Sequence, residues 1–132
     1  MCLSEKGLET FDQARVYKKP RVGYKVVIKT SDSEWRTSPY DFPLKLGKWI
    51  EDPKKHTLKA CDNAVSDWSD LEYKTGFHIF PRLRDALLWG TSWEQIVRVE
   101  YNYVVARGFL CYHNLLVVVA RKIRLVKVLQ HE

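Results

Sequence analysis

The sequence predicts an α+β fold: a single domain with a mainly antiparallel sheet and one main helix packed on one face. Three observations predict it. Several stretches alternate apolar and polar residues at the two-residue period of a strand, and only one shows helical spacing. The length of 132 residues also suits one domain with one core. Composition is that of a globular chain, 45% hydrophobic and 29% charged, with no linker that would split it. No apolar run approaches the roughly 18 residues that a membrane helix requires, so no membrane partner is expected.

Taken in order, residues 1–22 have weak periodicity and read as an N-terminal arm. "VGYKVVIKT" (22–30) is the first strand, with Tyr24, Val26 and Ile28 on one face and Lys25, Val27 and Lys29 on the other. Turn chemistry follows at Ser31–Ser33, then a Ser-Pro step that biases Ser38 to an extended backbone. "PLKLGKWIED" (43–52) alternates weakly, as a short or edge strand would, and residues 53–72 read as a long acidic loop. In "TGFHIFPRLRDALLWG" (75–90), Phe77 and Ile79 point one way and His78 and Phe80 the other. Pro81 suits a helix start, and Gly90 suits its end. Leu83, Ala86 and Leu87 supply an apolar stripe expected to share a core with Phe77 and Ile79. "IVRVEYNYVV" (96–105) alternates cleanly. "LLVVVARKIRLVKVL" (115–129) is long for one strand, which predicts a bulge or break near Ala120–Arg121.

Charge is segregated. Net charge is +6, with Arg15, Lys18, Lys19, Arg21, Lys25 and Lys29 in an acid-free segment and Arg107, Arg121, Lys122, Arg124 and Lys127 in a second. Such a field attracts anions, and the expected partner is a phosphate-bearing small molecule or nucleic acid. The candidate ligand-binding residues are Lys25, Arg121 and Arg124 for charge, His78 for a directional hydrogen bond, and Phe80 and Tyr40 for stacking on a base. A partly open pocket is expected around His78. The competing reading of His78 is a packing residue between aromatics.

No phosphate-binding glycine loop, hydrolase elbow or dinucleotide fingerprint occurs, so no cofactor is expected. Cys111 and His113, with His56, Cys61 or His78, match no standard zinc spacing, so no metal is expected either. Cys2, Cys61 and Cys111 are an odd set without a Cys-x-x-Cys pair, which points to reduced thiols in a cytoplasm. Residues 1–15 lack the apolar core of a signal peptide. If Met1 were removed, Cys2 would carry a thiol beside a free amine, and with His78 as base it is the alternative catalytic pair.

Five short motifs occur in order: "MCL" at 1–3, "GYKVV" at 23–27, "SPY" at 38–40, "GFHIF" with "RDALLW" at 76–89, and "VVARKIRLVKVL" at 118–129. In these the chain resembles a group of small proteins encoded by phages and mobile elements of bacteria. Residues 51–72 have no counterpart in that pattern. The resemblance implies the cytoplasm of a bacterial host or phage-infected cell, and an accessory factor that sequesters a host defence signal. It implies no activity. The expectation is therefore a non-enzymatic binding protein for an anionic, base-bearing ligand, a nucleotide or short nucleic acid. The alternatives are an enzyme with Cys2 as nucleophile and an inhibitor of a host protein that docks through Trp and Tyr. Oligomeric state is left open.

Overall fold

The computed structural model describes residues 3–31, 34–37, 43–62, 67–90, 94–111 and 113–129. Its elements run β1 (Glu9–Arg15), β2 (Arg21–Ser31), β3 (Glu34–Thr37), β4 (Pro43–Leu44), β5 (Trp49–Glu51), β6 (Thr57–Asp62), β7 (Asp67–Lys74), β8 (Phe77–Ile79), α1 (Leu83–Trp89), β9 (Gln95–Phe109) and β10 (Leu116–Leu129). Strands take 69% of the described residues and helix 6%, so the α+β expectation is corrected to a mainly β fold with a nearly closed, barrel-like sheet. Among the described residues no helix is long and apolar enough to cross a membrane.

The two cleanest alternating stretches form the centre of the sheet. β9 and β10 pair antiparallel from Phe109↔Leu116 to Ile96↔Leu129, and β2 lies on the other edge of β9. The main path is β4-β3-β2-β9-β10-β5, with β1 added to β9 and β8 to β10. Closure comes from β8. It pairs with β10 through Ile79, His78 and Phe77, while Phe80 and Tyr24 exchange backbone hydrogen bonds of 2.7 and 2.8 Å. Gly23 permits this approach. A Cβ built there would stand 2.6 Å from Ile79 Cγ2 and 3.1 Å from the Phe80 carbonyl oxygen.

The barrel interior is filled by Val27, Trp35, Leu44, Phe77, Ile79, Val97, Val99, Tyr101, Val104, Val118, Ala120, Ile123 and Leu125. A second apolar cluster lies on the outer side. There Leu3, Ala60 and Tyr73 pack with Val105, Ala106, Leu110, Val117 and Val119, while Ala86 of α1 joins Phe80, Val26 and Ile96 in the same cluster. Both faces of the central strands are thus covered over part of their length, which explains why their middles read as apolar on both parities.

Several local expectations change. Helix and Gly90 terminator are where the sequence puts them, with Gly90 N–H donating to Ala86 O at 2.9 Å. The helix covers the Phe80 side, however, not the Phe77 and Ile79 side. Leu83 and Leu87 are 38% and 46% exposed, so the predicted apolar stripe is not the buried face. Asp85 and Ala86 are buried instead, and Arg82 Nε donates to Asp85 Oδ2 at 2.9 Å. The supposed arm contains β1, and the supposed acidic loop contains the β6–β7 hairpin, joined at Thr57↔Lys74 and Leu58↔Tyr73. The cysteines are corrected too. Cys61 and Cys111 form a disulfide with Cα atoms 6.2 Å apart, well inside the usual span, so the cysteine count no longer supports a reducing cytoplasm.

Candidate functional site

Alternation along β2 sends Gly23, Lys25 and Val27 into the barrel. Lys25 is 4% exposed, and its Nζ donates to the His78 carbonyl at 2.9 Å. Burial pushes the ammonium down to about 8, with Asp52 acting in the opposite direction. His78 is also 4% exposed, and its Nε2 lies 3.1 Å from the Tyr73 hydroxyl. That hydroxyl in turn accepts the Leu3 N–H at 3.2 Å. Burial first, then the Lys25 charge, hold the imidazole down at about 3, although a hydrogen bond with the Gly76 backbone favours the cation. The ring is therefore neutral, and Nε2 accepts from Tyr73.

Lys25 and His78 are close together, as expected, but both are buried among the described residues rather than open to a ligand. Phe80 is 1% exposed and belongs to the outer apolar cluster. The predicted ligand-facing role of Lys25, His78 and Phe80 is corrected accordingly: they hold β2, β7 and β8 together. Tyr40 and Cys2 lie outside the described residues.

Arg121 is likewise engaged. Its Nη1 donates to Thr75 O at 2.7 Å and to Thr75 Oγ1 at 3.2 Å, and its Nη2 donates to the Asp52 carbonyl. The Asp52 carboxylate is 3.9 Å away, and the Arg121 side chain is only 15% exposed. A guanidinium enclosed this way ties β10 to the ends of β5 and β7 and leaves little surface for an anion.

Of the charged candidates, Arg124 is the one at the surface, and register shows what surrounds it. One row across the sheet runs Val22↔Glu100, Glu100↔Arg124 and Arg124↔Trp49. The neighbouring rows hold Tyr24, Arg98 and Lys127 on one side, and Asn102, Lys122 and Glu51 on the other. These side chains lie opposite the barrel interior: Val22, Trp49, Glu51 and Lys127 are exposed and the others half-buried, with Tyr24 packed against the cluster that includes Ala86 of α1. Arg124 donates from Nε to Glu100 Oε1 at 2.9 Å and also from Nη2, while its Cζ stands 5.1 Å from the Trp49 ring centroid. Among the described residues Arg98, Lys122 and Lys127 make no ion pair. Lys122 Nζ instead lies 4.5 Å from the Tyr103 ring centroid. Exposed cation–ring contacts of this kind contribute about 0.5–1 kcal/mol each.

Tyr103 is unusual. Its φ of 60° makes it the non-glycine residue of left-handed backbone among the described residues. It sits where β9 exchanges one partner for another, since β2 pairing ends at Tyr101 and β1 pairing begins at Val104. The Asn102 side chain fills the gap: Oδ1 accepts from Tyr17 N at 2.8 Å and Tyr103 N at 2.9 Å, and Nδ2 donates to Tyr17 O at 2.9 Å. On both strands the inward set changes parity at this point, from Val99 and Tyr101 to Val104 on β9, and from Ala120 to Ile123 on β10. The break expected near Ala120–Arg121 is therefore present, and the Tyr103 ring meets Lys122 rather than the core.

Sequence reasoning named Arg124 but did not select Arg98, Trp49 or Tyr103. The available signal was the i, i+2 spacing of Lys122 and Arg124 within a strand, which puts both cations on one face. No protein-family model, no curated protein and no solved structure matches the chain, so the resemblance to phage-encoded proteins gains no support from them.

Proposed function

We propose that the protein is a non-enzymatic binding protein whose open sheet face, on β2, β9, β10 and β5, takes a short nucleic acid by its phosphates. The observation that carries this reading is the set of cations Arg98, Lys122 and Lys127, without ion pairs among the described residues, around the Glu100-anchored Arg124. A single exposed cation binds a single phosphate weakly in water. Several along one face release counterions from a polyanion together, and the net charge of +6 adds a favourable long-range field. A compact ligand enclosed around His78 is not part of the proposal, because that site is filled by protein. The enzyme alternative also loses its base, since His78 Nε2 is occupied by the Tyr73 hydroxyl and the ring is buried.

The test is titration of a fluorescently labelled oligonucleotide of about twelve residues at several salt concentrations. With about three phosphates neutralised, log affinity should fall against log salt with a slope near −2 for a single strand. Reversing charge at Lys122 and Lys127 should flatten that slope and weaken binding while circular dichroism stays unchanged. Absence of binding at the lowest salt, or salt-independent binding, overturns the reading.

A further inference from the structure

We infer that this face takes single-stranded rather than duplex nucleic acid, with one base stacked on Trp49 and a second on Tyr103. The inference rests on the nucleic-acid reading above and adds the part of the ligand that the rings recognise.

Lys122 and Arg124 are two residues apart on one strand, so their side chains leave the sheet about 6.6 Å apart. Each lies over a ring: Lys122 Nζ over Tyr103 at 4.5 Å, and Arg124 Cζ over Trp49 at 5.1 Å. Two ring–cation pairs on consecutive outward positions of β10 form a short repeat, with an aromatic surface and a phosphate-binding group in each unit. In a duplex the base faces are hidden in the stack, and such rings meet only backbone and groove edges. A single strand can turn its bases out onto them, and stacking tolerates every base because each has a π-face.

The cations hold the rings' places until a base arrives. Trp49 is 38% exposed and flanks an Arg124 fixed by its hydrogen bonds to Glu100. Lys122 has no such anchor among the described residues. On binding, its flexible chain swings from the Tyr103 ring to a phosphate, and a base replaces it on the ring. The backbone at Tyr103 supports this assignment independently. Left-handed φ at a bulky residue is costly and persists where its surroundings enforce it, often at ligand sites. Here Asn102 enforces it, receiving the Tyr103 N–H at 2.9 Å while clamping the Tyr17 backbone. The outcome is a tyrosine ring displayed beside Lys122 at a position that strand alternation from Tyr101 would have sent inward.

Three probes of equal length test this with the full chain: a mixed-sequence single strand, the corresponding duplex, and an abasic sugar–phosphate strand. The single strand should bind at least tenfold more tightly than either of the others. Tyr103→Gly is the informative variant, because glycine adopts the observed φ without strain and deletes only the ring. Tyr103→Gly and Trp49→Leu should each weaken the single strand about tenfold and narrow its margin over the abasic strand. Equal binding of single strand and abasic strand, or of single strand and duplex, overturns the inference while leaving polyanion binding intact. So does unchanged single-strand affinity in a folded Tyr103→Gly/Trp49→Leu double variant. Failure of all three probes to bind overturns the nucleic-acid reading itself, and this inference with it.

Discussion

Lys25 Nζ donates a 2.9 Å hydrogen bond to the backbone carbonyl of His78, joining β2 to β8 from within the barrel. The ammonium is 4% exposed, and burial lowers its pKa from 10.5 to about 8. Between those values the unfolded chain binds the proton more tightly than the folded one. Stability therefore rises with pH through that window, by about 3 kcal/mol for this group alone. Urea unfolding at pH 7 and pH 10 should show the rise, and Lys25→Met should remove that share of it. A buried charge replaced by an apolar chain of similar length is often neutral or stabilising, so Lys25→Met should be no less stable at pH 7. An unchanged pH profile in the variant would mean that Lys25 is not the group responsible.

His78 carries a pH signature of the same sign at lower pH, and a clear structural role. Its folded pKa of about 3 lies below the ordinary 6.5, chiefly through burial, so protons favour the unfolded chain as pH falls from 6.5 toward 3. Stability should decline over that range, and less steeply in His78→Phe. His78→Ala should lower stability by about 2–4 kcal/mol, because it leaves a cavity and an unpaired Tyr73 hydroxyl. Affinity for an oligonucleotide should not change in variants that remain folded. Loss of affinity without loss of stability would restore His78 to a binding role.

The long strands were legible because their period is two and their burial is deep, as in β2, β9 and β10. β1, with the sequence ETFDQAR, was not: it is an edge strand with no fully buried residue, and its apolar Phe11 and Ala14 stand three apart, so no period of two marks it. The β6–β7 hairpin was hidden for a similar reason, since only one of its faces meets the sheet and the other carries acids. For α1 the position was readable from Pro81 and Gly90, but the buried face was not. Leucine spacing suits several orientations in a helix of seven residues, and Ala86 with Asp85 won because a close approach to β2 leaves room only for small or paired groups. Arg124 could be picked out from charge alone. Its setting could not, because Trp49 and Glu100 reach it through register, and Tyr103 reaches the face through a backbone conformation that no side-chain pattern announces.

Gly23 is where barrel closure should be most sensitive to a single methyl group. A Cβ there meets Ile79 Cγ2 at 2.6 Å and Tyr101 Cε1 at 3.0 Å, while both neighbours belong to a packed interior. Gly23→Ala should cost about 1–3 kcal/mol through overpacking, measured by denaturant unfolding. Combined with Ile79→Ala it should cost less than the sum of the two, because the space emptied at Ile79 receives the new methyl. Strict additivity would place the strain elsewhere.

The Cys61–Cys111 disulfide fastens the second layer to the end of the central hairpin. Cys61 is on β6, and its backbone also holds the N-terminal segment: Cys61 N–H donates to Leu3 O, and Glu5 N–H to Cys61 O, each at 2.9 Å. Cys111 follows Leu110, whose N–H bonds to Leu115 O in the turn between β9 and β10. The bridge spans 50 residues of sequence, for which loop closure in the unfolded chain gives about 4 kcal/mol of stabilisation. Thiol titration in denaturant without reductant should find one free cysteine, Cys2, of the three in the sequence. Reduction, or Cys61→Ser with Cys111→Ser, should lower the unfolding free energy by an amount of that order. Because β9 and β10 have their own ladder and interior core, hydrogen exchange should show the loss first at β6, β7 and residues 3–5. Equal loss of protection along β9 and β10 would mean that the bridge holds the barrel itself, and three free thiols would mean that the pair does not form.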